Sequence, residues 1–248
     1  MQIVKQNNEI IEFLQRDRRV NLNALSYLAY NPDADVYIYG CAANGVIIGV
    51  EGRSFFFAAK YNRNLFDAFW ESLSPGHKIF SGVPISVADM MLEGREPIWQ
   101  SPCKVFFYNG EIQIADSSLK LEIGNLTAED AEEVDEYYTY RSESSVRRLR
   151  ESIEMMDSAC IRIDGRLASW CLVHAEDGSL GPLYTKEEFR GKGLAEAVVT
   201  HLIKKLAAKN VTAYAQIVED NAPSLALIKK LGCFDYSHDC LWFGLDKD

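Results

Sequence analysis

The 248-residue chain has no apolar run that approaches the length of a membrane span. Its longest, "GVIIGV" and "FFFAA", fall far short of the roughly 20 residues a spanning helix needs, so no membrane partner is expected. Met1 is followed by Gln2, Ile3, Val4 and Lys5 and then by polar residues, without the apolar stretch of a secretory signal. Prolines are few, and no internal repeat or low-complexity tract is visible. The six cysteines (Cys41, Cys103, Cys160, Cys171, Cys233 and Cys240) form no CxxC pair and mostly lie within apolar stretches. Buried free thiols in a reducing cytoplasm are therefore expected, not a disulfide scaffold. Positive charge is also scarce: 26 basic residues stand against 36 acidic ones, a formal net charge of −10. Such a body repels a polyanion at long range, which excludes nucleic acid as the main partner.

What basic character there is concentrates at Arg147–Arg150 and at Arg190–Lys192. The second cluster lies in "YTKEEFRGKGLA". A short apolar run, Leu180 to Tyr184, precedes it. After it Leu194, Val198, Leu202 and Leu206 recur every fourth residue, flanked by Ala195, Val199 and Ile203. The pattern predicts a strand, a glycine-rich basic turn, then an amphipathic helix. The turn falls at the helix N-terminus, where unpartnered N–H groups and the dipole favour an anion. An acidic body with a small basic notch suits a small anionic ligand.

Length allows two domains. In the first, Ile10, Ile11 and Leu14 mark one helix, and Leu22, Leu25 and Leu28 a second. "DVYIYG", "GVIIGVE" and "RSFFFAAK" predict an antiparallel meander punctuated by turns at Asn44-Gly45 and Glu51-Gly52. Helices over Leu65–Leu73 and Val87–Leu92 follow, then a strand, "CKVFFYNG". The chain turns polar from Glu111 to Lys120, which places a boundary near Ser118 and divides the chain into 1–118 and 119–248. The second part opens with a strand at Leu121 and Ile123. Thr127 is a helix N-cap with Asp130 three residues on. A helix over "SSVRRLRESIEMM" precedes a hairpin of "ACIRI" and "RLASWCLVH" around Asp164-Gly165. After the glycine turn and its helix come a strand, "VTAYAQIV", a helix, "SLALIKKLG", and a last strand, "CLWFGL".

This order of elements resembles the GNAT superfamily of acyl-CoA-dependent N-acyltransferases. The family signature (Arg or Gln, two residues, Gly, one residue, Gly or Ala) is met by Arg190, Gly193 and Ala195, and "NAPSLALIKKLG" resembles the second signature. "SWCLVHAEDGSLGPLYT" before "EEFRGKGLA" looks most like the glycine N-acyltransferase branch, which also carries an N-terminal half. The resemblance is specific over Leu121 to Leu245. It implies an α/β (α+β) GNAT fold with a central mixed, mostly antiparallel sheet, preceded by a smaller α/β domain whose meander permits a degenerate copy of the core. It further implies acetyl-CoA or another acyl-CoA as co-substrate, with no metal, and transfer to a small primary amine or amino acid. The loop of Arg190, Gly191, Lys192, Gly193 and Leu194 would offer N–H donors to the pyrophosphate of coenzyme A. The two glycines would allow close approach, and Arg190 or Lys192 would add charge. The edge of Leu183, Tyr184 and Thr185 would pair with pantetheine amides. Asn221 and Ser224 match the second motif. A homodimer is left open.

The catalytic positions depart from the family. The strand base falls on Ser179, with Gly181 next on the same face, and the Tyr acid is replaced by Ile228. Transfer to an amine still needs proton removal. The remaining candidates are Glu176 at the end of the hairpin, Tyr184 and Glu219. Asp177 and Asp220 beside them are expected to be solvated turn carboxylates. His174 and His201 are expected to be structural, and Trp170 to be core. Arg147, Arg148 and Arg150 lie on one helix and would suit an acceptor carboxylate or a solvated face. Cys233, His238, Asp239 and Cys240 match no closed zinc spacing. The alternative function is an acyl-CoA-binding sensor that lacks the usual base and acid.

Overall fold

A computed structural model describes residues 1–50, 55–110 and 121–248. The elements in chain order are β1 (Gln2–Lys5), α1 (Asn8–Gln15), α2 (Leu22–Tyr30), β2 (Asp35–Tyr39), β3 (Cys41–Val50), β4 (Phe55–Lys60), α3 (Arg63–Ser72), β5 (Gly76–Pro84), α4 (Ile85–Leu92) and β6 (Trp99–Tyr108). Then follow β7 (Ile123–Gly124), α5 (Ala131–Glu136), α6 (Ser145–Met155), β8 (Ser158–Ile163), β9 (Arg166–Val173), β10 (Leu180–Thr185), α7 (Leu194–Ala208), β11 (Tyr214–Val218), α8 (Ala222–Leu231) and β12 (Phe234–Lys247). Two compact units result. One holds Met1–Val105, Gln216–Ala222 and Tyr236–Asp248, the other Phe106–Ala215 and Pro223–Asp235. The expected boundary near Ser118 lies outside the described residues, and C-terminal segments cluster with the N-terminal ones.

The first unit is built on an eight-stranded sheet of order β1-β2-β3-β4-β5-β12-β6-β11. The expected antiparallel meander is β2-β3-β4. Its first turn, however, is not at Asn44-Gly45. The chain reverses at Gly40, which takes φ 79°, with Tyr39 pairing Cys41. Gly45 lies inside β3, where a Cβ would stand 2.8 Å from the Asn62 Cβ and 2.9 Å from a Leu65 methyl. Close approach of α3, not a bend, is what requires that glycine. The turn expected at Glu51-Gly52 lies outside the described residues.

Strands β1 and β5 carry too weak an alternation to be read from sequence. β5 runs parallel to β4, pairing Phe55 with Ile79 and Phe56 with Phe80, and α3 forms the crossover that parallel pairing requires. Asn62 caps α3 by accepting the Leu65 N–H at 3.0 Å. The helix buries Leu65, Phe66 and Phe69 against Phe56 and Phe80. β12 then pairs antiparallel with β5 from Cys240–Pro84 to Lys247–Gly76, and Phe243 stacks on Phe80 with ring centroids 5.0 Å apart.

The second unit has a four-stranded antiparallel sheet of order β10-β9-β8-β7. The hairpin at Asp164-Gly165 is as expected: both residues have positive φ, 51° and 76°, which matches the twist of the flanking strands. Val198, Val199, Leu202, Ile203 and Leu206 of α7 pack on one face with Ala159, Ile161 and Cys171. Leu149 and Ile153 of α6 and Val134 of α5 pack on the other with Trp170 and Leu172. The expected N-cap forms a full capping box, with the Thr127 N–H donating to Asp130 at 2.7 Å. Of the six cysteines five are buried and Cys41 is half-buried, and all are free thiols. Among the described residues no helix is long and apolar enough to cross a membrane.

Candidate active site

The glycine turn occupies the expected place. Arg190, Gly191, Lys192 and Gly193 are exposed, Leu194 is buried and Ala195 half-buried. Gly191 and Gly193 have φ of 74° and 76°, a backbone that L side chains adopt only at a cost of roughly 1–2 kcal/mol. Nothing lies within 4 Å of a Cβ added at either, so a ligand can approach the backbone there. Gly193 is the N-cap of the 15-residue α7 and makes no side-chain cap bond. The first-turn N–H groups therefore point outward without a capping acceptor. Glu196, the acid in that turn, is neutralised by Lys230 at 2.5 Å.

Arg190 lies back over β10. Its Nε donates to the Thr185 carbonyl at 3.0 Å, its Nη2 to the Tyr184 hydroxyl at 3.2 Å, and its guanidinium covers the Tyr184 ring. Lys192 donates to the Glu188 carbonyl at 3.3 Å. β10 is the edge strand of its sheet, as an extended partner for pantetheine would require. Leu183, Tyr184 and Thr185 pair inward with Cys171, Trp170 and Ser169, and the strand is irregular between Leu180 and Leu183. Tyr184 packs at a tilt against Trp170, with ring centroids 5.4 Å apart, and against Tyr137, at 4.7 Å; Trp170 is fully buried, as expected.

The other end of β10 holds a second polar group. Tyr138, Arg148, Leu149, Ser152, His174 and Glu176 line a small pocket. Glu176 Oε2 and Arg148 Nε are buried without a hydrogen-bond partner, and His174 Nδ1 stands 3.8 Å from Glu176 Oε2. Burial pushes the Tyr138 phenol up to about 12. Asp177 is not the solvated turn residue expected. It is 1% exposed, and its carboxylate accepts from the Ser179 N–H at 2.9 Å and hydroxyl at 2.7 Å, while its carbonyl accepts from Tyr214. Burial pushes the Asp177 carboxyl up, against the opposing influence of His174 and of the Ser179 bonds. The pocket draws on α6, the segment after α5 and the hairpin end. Sequence periodicity gives no signal that these meet.

The second unit thus contains Glu176, Leu183, Tyr184, Thr185, the Arg190–Ala195 loop and Ser224. Glu219 and Asn221 belong to the first unit. There Glu219 pairs with Lys104 at 3.2 Å, and Lys104 also reaches Asp239 at 3.2 Å. Asn221 is exposed, its N–H donating to the Val218 carbonyl. His201 is half-buried on α7, and burial lowers its basicity. Among the described residues no three His, Cys, Asp or Glu side chains converge as metal ligands.

Residues 160–243 match the model of the FR47-like protein family. The chain is 27% identical over 103 residues to human glycine N-acyltransferase-like protein 1, a match covering 41% of this chain and 33% of that protein. Its fold is close to that of a Drosophila protein, with a TM-score of 0.76 at 16% identity over 98% of both chains. A GNAT-family acetyltransferase of Colwellia psychrerythraea aligns over 99% of this chain and 100% of its own, at 13% identity and a TM-score of 0.55. The chain has the fold of the GNAT-family acetyltransferases. Two departures from the residues usual in the GNAT superfamily, expected from the sequence, are visible in three dimensions. Ser179 is buried and bonded to Asp177, and Ile228 is buried on α8.

Proposed function

We propose that this chain is a GNAT-type acyl-CoA-dependent N-acyltransferase, with acetyl-CoA as the first candidate donor and a small primary amine or amino acid as acceptor. The observation that carries the reading is the exposed, left-handed Gly191–Gly193 turn at the uncapped start of α7 with Arg190 beside it. In this reading the turn and the first N–H groups of α7 receive the pyrophosphate. Arg190 leaves Tyr184 to pair with it, and the edge of β10 takes the pantetheine amides. The acyl group then passes directly to the amine in a ternary complex. Orientation of amine beside thioester supplies much of the rate, with effective molarities of roughly 10⁵ M or more in well-placed cases.

Arg190→Glu tests the donor site. Titration of acetyl-CoA into the full chain should show saturable binding that the variant weakens at least tenfold, with the melting temperature unchanged. Equal affinity in the variant would remove the loop from the site. A second reading, an acyl-CoA sensor without turnover, is favoured by the engaged Ser179 and the buried Ile228 at the positions of the family's base and acid.

A further inference from the structure

The strand positions of the usual base are Ser179 and, next on the same face, Gly181, and the space a side chain would fill at Gly181 is already taken. A Cβ built on Gly181 would stand 3.2 Å from Nε2 of His174 and 3.5 Å from its Cδ2. His174 ends the neighbouring hairpin arm, so its ring edge reaches the base position from β9 instead of from β10. We propose that His174 is the general base of this transferase, with Glu176 as the residue that positions it; the inference rests on the acyltransferase reading above.

Three observations support the assignment. The His174 backbone is fixed on both sides, its N–H donating to the Ser179 carbonyl and its carbonyl accepting from Gly178, each at 2.9 Å. Glu176 Oε2 is buried, has no hydrogen-bond partner and lies 3.8 Å from Nδ1, within ion-pair reach of the imidazole. A carboxylate beside one ring nitrogen and the other nitrogen at the Gly181 position of β10 is the arrangement a general base with an orienting group uses. The ring also lines an accessible pocket, its side chain being 23% exposed. The charged or titratable groups around it are Glu176 and Asp177 on its own loop, Arg148 from α6, and Tyr138 from the segment after α5.

The chemistry balances without a further reactant. The acceptor arrives as an ammonium, and one proton passes to His174 Nε2 and on to water. The freed lone pair forms the C–N bond at the thioester carbonyl. The C–S bond breaks with its electron pair on sulfur, and the proton the nitrogen then sheds goes to that thiolate. The products are an amide and free coenzyme A.

The test uses the full chain with acetyl-CoA and, as acceptors, glycine, glutamine, phenethylamine and spermidine, reading thiol release. His174→Gln should lower kcat by about 10²-fold. Acetyl-CoA affinity should stay unchanged, the wild-type fall of kcat/KM on the acid side should disappear, and added imidazole should restore part of the rate. A variant within twofold of wild type, or one that loses acetyl-CoA affinity with the rate, would overturn the role of His174 alone. Should His174→Gln fail to fold, Glu176→Gln decides. A fall in kcat at constant KM, recovered by Glu176→Asp, supports the pair, and an unchanged kcat overturns it. Binding of acetyl-CoA with no release for any amine would overturn the acyltransferase reading together with this one.

Discussion

At the scale of single residues, Asp177 shows what chain position hides. As part of "HAEDGS" it reads as a turn carboxylate in water, yet the hairpin end folds over it and its carboxylate accepts two bonds from Ser179. Because burial raises its carboxyl, the native state keeps this proton to higher pH than the unfolded chain does. Its contribution to stability is therefore full below the ordinary carboxylate range and is lost as pH rises through the raised value. Asp177→Asn keeps an acceptor for Ser179 and removes the titration. The urea midpoint of the wild type relative to this variant should fall as pH rises above the carboxylate range, and a flat difference would show that Asp177 ionises normally. The glycine loop, by contrast, was legible: Arg190, Gly191 and Gly193 stand where strand, turn and helix periodicity put them. The closeness of His174 to Gly181 was not, because it depends on the pairing of two strands and not on spacing along the chain.

Among secondary-structure elements, the strong periodicities were readable and the weak ones were not. The α7 stripe, the Asp164-Gly165 hairpin and the Thr127–Asp130 capping box each follow from a local rule. β5 escaped because "GHKIFSGVP" mixes glycine, proline and charge, and only its place between β4 and β12 makes it a strand. Asn44-Gly45 misled because the same dipeptide that forms hairpin turns also supplies the missing side chain that α3 needs to approach β3. Gly45→Ala should therefore destabilise by about 1–3 kcal/mol through overpacking against Asn62 and Leu65. Chemical unfolding measures it, and a neutral effect would mean that α3 moves aside freely.

Across the whole molecule, two units were expected, but not that Gln216–Ala222 and Tyr236–Asp248 would cluster with the N-terminal residues. Composition shifts mark linkers and carry no information on which distant strand completes a sheet. Phe243 and Leu245 complete the first unit's core from more than 130 residues beyond the last helix of that unit's N-terminal part, α4. The class of fold was legible in the order of elements; the loop carries the acyl-CoA expectation, and nothing along the chain names the acceptor. The proposed reaction is transfer of an acyl group to an amine by this GNAT-fold chain. Coenzyme A release from acetyl-CoA, read by thiol trapping across a panel of amino acids and amines, tests it most directly. Release that saturates with one class of acceptor is expected; bound acetyl-CoA with no release above hydrolysis for any of them would contradict the proposed transfer.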